Sequence, residues 1–176
     1  LPHRGRLGPE EREKFLREAR AAAQLRHPNI VSVHEAGIDR QHLYIVSDFI
    51  AGVPLDSWIS QRHSSFRDTA VLAAKIAEAL HHAHEEGVIH RDLKPNNIMM
   101  DGSGDPHLMD FGLARRLTGE VTMTLDGQVL GTPAYMSPEL AKGSAHAADR
   151  RSDIYSLGVI LFELLTGERP FRGNVQ

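Results

Sequence analysis

Asp92, Lys94, Asn97 and Asp110 are the residues whose types and spacing suggest chemistry. The first three lie within the run HRDLKPNN at 90–97, and Asp110 opens Asp110-Phe111-Gly112, thirteen residues after Asn97. Moving a γ-phosphoryl group needs divalent cations on the phosphate oxygens, an acceptor for the attacking hydroxyl's proton, and rigid positioning of both. Asp110 is a hard oxygen ligand suited to Mg²⁺, and Asn97 adds a neutral oxygen. Asp92 is placed to orient a hydroxyl and accept its proton, while Lys94 brings a positive charge close to the phosphate. Gly112 allows a sharp turn where a side chain would obstruct. Taken alone, Asp92 or Asp110 reads more readily as a cap or turn residue, and Asn96 is expected to be one.

The elements that must position these residues follow from periodicity. Glu10 to Leu25 is predicted as a helix, with Pro9 at its start, acidic residues in its first turn, and His27-Pro28 ending it. Ile30 to His34 and His42 to Phe49 are predicted as a hairpin turning at Gly37-Ile38-Asp39-Arg40. Gly52 and Pro54 break that pattern before a short helix at Leu55 to Ile59. Arg67 to Glu86 is the clearest amphipathic helix, with Leu72, Ile76, Leu80 and Ala83 at helical spacing and Gly87 as its stop. Between Val88 and Met109, short apolar pairs alternate with turn residues, as small hairpins presenting loops would. Thr118 to Gly131 reads as a long loop. Ser152 to Thr166 is apolar around much of its circumference and is predicted to be a largely buried helix. Strands and helices are segregated along the chain, which makes the fold class α+β.

The 176 residues are 41% apolar and 24% charged, with a net charge of −3. That composition is globular and argues against nucleic acid as a partner. With no cysteine, a disulfide framework, a thiolate zinc site and a cysteine nucleophile are all excluded. No apolar run reaches the ~18 residues of a membrane span. His81 and His84 are helical neighbours that admit a metal, although packing is the more economical reading.

HRDLKPNN, Asp110-Phe111-Gly112, GTPAYMSPE at 131–139 and SDIYSLG at 152–158 occur in order. The chain resembles the protein kinase family along essentially its whole length, and specifically bacterial eukaryotic-like (Hanks-type) serine/threonine kinases. The resemblance implies a two-lobed kinase fold, cut to a partial N-lobe with hinge at 1–50 and a C-lobe at 51–176 ending near helix F. It implies Asp92, Lys94 and Thr132 as catalytic residues, and Asn97 and Asp110 as metal ligands. Around ATP it implies Glu18, Asp48, Ile50 and Met99, with Ser47 as a small gatekeeper that opens a back pocket. Arg91 with Thr118, Thr122 or Thr124 implies control by phosphorylation. His90, Phe111, Gly112, Glu139 and Asp153 are implied as structural, with His90 packed near Phe111, and His84 as a packing residue. The cofactors implied are ATP and Mg²⁺, with Mn²⁺ able to substitute, and the partner is a protein substrate. The resemblance also admits a kinase dimer for trans-autophosphorylation and a cytoplasmic location, with a membrane anchor elsewhere in the parent protein.

No lysine precedes Lys14 and no glycine-rich GxGxxG precedes Glu18. The expectation is therefore a chain that begins just after the ATP-gripping lysine and is inactive by itself. The alternative is a non-catalytic kinase-like scaffold. Glu139 is expected to pair with an arginine beyond Gln176.

Overall fold

The computed structural model describes residues 8–39, 42–61, 65–111, 133–142 and 148–171. Helix α1 spans Pro9–Ala22 and buries Phe15, Ala19 and Ala22 at one-turn spacing. It stops three residues short of the predicted Leu25. There, the amides of Gln24 and Leu25 turn to the carbonyls of Ala21 and Ala22, a tighter winding that ends the helix. The Arg26 guanidinium donates to the carbonyls of Ala23 and Leu25 beyond it.

Strands β1 (Val33–Asp39) and β2 (His42–Ser47) form an antiparallel pair that closes from Val33↔Ser47 to Asp39↔His42. This corrects the predicted hairpin: Gly37, Ile38 and Asp39 lie inside β1, not in the turn. Gly37 faces the Tyr44 ring, which occupies the space a Cβ would need, so this glycine serves packing. Ile30, predicted as strand, instead makes an isolated parallel bridge to Leu108.

Strands β3 (Gly52–Pro54), β4 (Ile98–Asp101) and β5 (Pro106–Leu108) form a second antiparallel sheet in that order. Helix α2 (Leu55–Gln61) follows β3 directly. Helix α3 (Phe66–Glu85) starts at Ser65, whose side chain accepts from the Asp68 amide, and chain reversal follows at Gly87 with φ 72°. Its buried face carries the predicted Leu72, Ile76, Leu80 and Ala83, together with Thr69 and Ala79. A 3₁₀ turn at Pro95–Asn97 leads into β4, and another at Pro133–Tyr135 precedes the short α4 (Pro138–Ala141).

Helix α5 (Arg150–Thr166) packs on α3. Its burial departs from the prediction. The buried residues are Ser152, Asp153, Ser156, Val159 and Ile160, while Ile154 (54%), Phe162 (43%) and Leu165 (42%) are exposed. The inward stripe is polar in its first half because it meets polar groups that need partners: Asp153 accepts backbone amides, while Ser156 donates to the Tyr135 carbonyl and Ser152 to Glu139. One contiguous core nevertheless joins Phe15 and Leu25 to Leu80, Ile98, Leu108 and Ile160. No described helix is long and apolar enough to cross a membrane.

Candidate active site

The loop between Gly87 and the 3₁₀ turn carries His90, Arg91 and Asp92. Arg91 sits at φ 63°, a left-handed conformation that costs a non-glycine residue about 1 kcal/mol or more. Asp153, from the buried face of α5, holds it there. Asp153 Oδ1 accepts from the Arg91 amide at 2.8 Å, and Oδ2 accepts from the His90 amide at 2.9 Å. His84 Nε2 lies 2.7 Å from the same Oδ2. The carboxylate is only 1% exposed, yet every one of these partners is polar, so its burial is compensated. The His90 ring stacks on Phe111 with centroids 4.7 Å apart. Burial lowers the His90 pKa and keeps the imidazole neutral.

Asp92 projects from the end of this loop. Its Oδ2 accepts from Lys94 Nζ at 2.8 Å and from Asn97 Nδ2 at 3.1 Å. The same Asn97 nitrogen donates to the Asp92 carbonyl at 2.8 Å. The Asn97 amide nitrogen is thus committed to Asp92, which turns its side-chain oxygen away as the group left to accept or ligate. The Met109 amide donates to the Asn97 carbonyl at 3.0 Å, tying the residue before Asp110 to the Asn97 backbone. Asp110 also has positive φ, at 60°. Burial raises its carboxyl pKa; nearby Asp92 pushes the same way, and His90 and Lys94 oppose. The Asp110 carboxylate, the Asn97 side-chain oxygen and the Asp92 carboxylate make an oxygen-rich, anionic corner suited to a hard divalent cation.

Glu18 projects from α1 toward this loop, with Oε1 3.9 Å from Arg91 Nη1. Burial raises its pKa, against the opposing charges of Arg91 and Arg17. Asp48 Oδ1 receives His34 Nε2 at 2.7 Å at the exposed end of β2, and this bond lowers the Asp48 pKa. Ile50 is half-buried just beyond β2. Met99 is half-buried on the face of β4 opposite the buried Ile98 and Met100, so it is not a residue of the central core. Behind Ser47 lies a small cavity walled by Ala22, Ile30, Met109 and Phe111. Glu139 Oε1 accepts from Ser152 Oγ, which holds its carboxyl below the usual range. Gly112, Thr118, Thr122, Thr124 and Thr132 lie outside the described residues.

Two contacts were not legible in the sequence. His84 was expected to pack, and its bond to Asp153 joins residues 69 apart. Tyr135 donates to Glu163 on α5, with the Arg169 guanidinium over its ring at 5.5 Å. No local spacing announces either pair. His84's place six residues before His90 is the one available signal.

The chain belongs to the protein kinase family. The protein kinase domain matches residues 4–176. The chain is 43% identical over 162 residues to the probable serine/threonine-protein kinase PknB of Lactococcus lactis, covering 92% of this chain and 25% of that protein. It is 42% identical over 162 residues to the serine/threonine-protein kinase PrkC of Bacillus subtilis, covering 92% of this chain and 24% of that protein. Among solved structures, the Mycobacterium tuberculosis PknI kinase domain superposes with a TM-score of 0.75 at 28% identity, over 96% of this chain and 63% of that one. The chain therefore spans about a quarter of the length of these curated relatives and is similar to bacterial serine/threonine kinases.

Proposed function

We propose that this chain carries the catalytic centre of an ATP-dependent kinase that phosphorylates serine and threonine hydroxyls of protein substrates. The observation that carries the reading is the convergence of Lys94 and Asn97 on one oxygen of Asp92. With Oδ2 so occupied, Oδ1 is the atom to receive a substrate hydroxyl. Asp92 orients that hydroxyl and takes its proton as the oxygen attacks phosphorus. Lys94 then balances charge beside both the carboxylate and the incoming phosphoryl oxygens. Asp110 and the side-chain oxygen of Asn97 are the ligands for Mg²⁺, and Mn²⁺ suits the same oxygens. ATP with its divalent cation supplies the transferable phosphoryl group and neutralises its oxygens.

Ile50 and Met99 line the adenine side, with Asp48 at the hinge, and the family resemblance adds Thr132 of the GTPAYMSPE run as a catalytic residue. Residues 1–50 belong to the nucleotide-side lobe and hinge, and 51–176 to the helical lobe. Glu18 is the helix carboxylate available to a lysine that grips ATP. The catalytic domain faces the cytoplasm, where ATP and protein substrates are found.

The test is radiolabelled phosphoryl transfer from ATP to a protein substrate by the full-length protein, beside its Asp92→Asn and Asp110→Asn forms. Label incorporation that both substitutions abolish is expected. Equal incorporation by wild type and Asp92→Asn would remove the proposal.

A further inference from the structure

Asn29 lies outside every group invoked above, yet it is only 8% exposed and its side chain bridges distant parts of the chain. Its carboxamide Nδ2 donates to the Pro106 carbonyl at 2.8 Å, a buried bond across 77 residues. Its own carbonyl accepts from the Leu108 amide at 2.8 Å, and the Val31 amide donates to the Leu108 carbonyl at 2.9 Å. Together these bonds bind the segment 29–31 along the free edge of β5. The other edge of β5 pairs with β4, Ile98 opposite Leu108. One residue on, the Met109 amide is held by the Asn97 carbonyl. Leu108 and Met109 are thus pinned from both sides immediately before Asp110.

The other end of the bridge is equally determined. The Asn29 amide donates to His27 Nδ1 at 3.1 Å, and the Ile30 amide to the His27 carbonyl at 3.1 Å. These bonds make a compact turn that begins a few residues after α1, the helix that carries Glu18. Pro106 is the natural acceptor: lacking an amide hydrogen, it offers the ladder only a carbonyl. A hydrocarbon side chain at position 29 would leave that carbonyl buried without its donor.

We propose that Asn29 is a positioning residue for the metal-ligand pair Asp110 and Asn97, acting by clamping β5 to the turn after α1. It touches neither substrate nor cation. It fixes the register of the strand that delivers Asp110 and couples that strand to the helix bearing Glu18. This inference rests on the kinase reading for its consequence in catalysis, while the clamp itself is a property of the fold.

The test compares the full-length protein with its Asn29→Ala form and with Asn29→Asp, which keeps the shape and removes the donor. Val159→Ala, a core truncation in α5, is the control for general destabilisation. Two readouts are taken. Amide hydrogen exchange is followed at Leu108 and Met109 relative to the amides of α3. Rates are measured against Mg²⁺ and protein substrate and expressed per folded molecule.

Both Asn29 variants are expected to exchange at Leu108 and Met109 at least about tenfold faster with α3 unchanged, the loss of a buried hydrogen bond acting locally. They are also expected to lower kcat about ten- to a hundredfold and to weaken apparent Mg²⁺ affinity, leaving KM for the protein substrate within about twofold. Val159→Ala should do neither. Exchange that is unchanged, or accelerated equally in α3, overturns the clamp. Faster local exchange with unaltered rates per folded molecule overturns the positioning role. If wild type shows no Asp92-dependent transfer, the kinase reading falls, and the exchange readout still decides the clamp.

Discussion

A carboxylate beside a second carboxylate is an energetic liability, and Asp110 is in that position next to Asp92. Burial raises its pKa, and Asp92 adds to the effect. A carboxyl whose folded pKa lies above its unfolded value favours the folded state when protonated, so its ionised form subtracts stability at neutral pH. Asp110→Asn is therefore expected to raise Tm at pH 7 while abolishing phosphoryl transfer. The Tm advantage should shrink as pH falls through the raised pKa and vanish below the ordinary aspartate range; thermal melts from pH 3 to pH 8 measure it. A lower Tm at pH 7 would contradict this view of Asp110. Asp92, Lys94, Asn97 and Asp110 were legible because their chemistry depends on residue type at short spacing. Glu18 was legible through the family resemblance as the helix carboxylate of the ATP site, but its proximity to Arg91 was not, since it joins residues far apart in sequence.

Elements were legible where periodicity and caps agree. Helix α3 carries its apolar stripe and its Gly87 stop in the sequence itself, and its observed bounds lie within a residue of the predicted ones; the Ser65 cap emerged with the structure. Ser65→Ala is expected to lower stability by about 1 kcal/mol, read as a shift of the denaturation midpoint without a change in kinetics per folded molecule. Strand β1 was misplaced because glycine has two uses. Gly37 resembles a turn residue, but it makes room for the ring of Tyr44, and Tyr44 in turn donates to Glu35 on the same strand. Gly52 is another such case, in β3: a Cβ there would run into the Met100 carbonyl, which is backbone and cannot swing aside. Gly52→Ala is expected to break the β3–β4 pairing, seen as lost amide protection at Val53 and Met100.

At the scale of the whole molecule, one buried carboxylate binds α5 to the catalytic loop and to α3. Asp153 receives the amides of His90 and Arg91 and the imidazole of His84. Asp153→Ala leaves those buried donors unpaired and is expected to cost at least about 3 kcal/mol, measured by chemical denaturation. The sequence showed α5 as an apolar helix but not which stripe would turn inward, since its apolar residues nearly encircle it. The polar part of the inward stripe was decided by distant partners: amides for Asp153, the Tyr135 carbonyl for Ser156 and Glu139 for Ser152. Ile154, Phe162 and Leu165 are left on the outside, with Phe171 beyond the helix 59% exposed. An apolar surface of this kind promotes association. The 176-residue polypeptide is expected to bind a hydrophobic dye and to self-associate with rising concentration. A monomer with a single sharp unfolding transition would count against that expectation.

The central claim is that Asp92 directs phosphoryl transfer to aliphatic hydroxyls. Phosphoamino-acid analysis of a protein substrate, labelled from ATP by the full-length protein and by its Asp92→Asn form, tests it most directly. The account predicts phosphoserine and phosphothreonine without phosphotyrosine, falling at least about a hundredfold in Asp92→Asn. Phosphotyrosine as the main product, or serine and threonine labelling that survives the substitution, would contradict it.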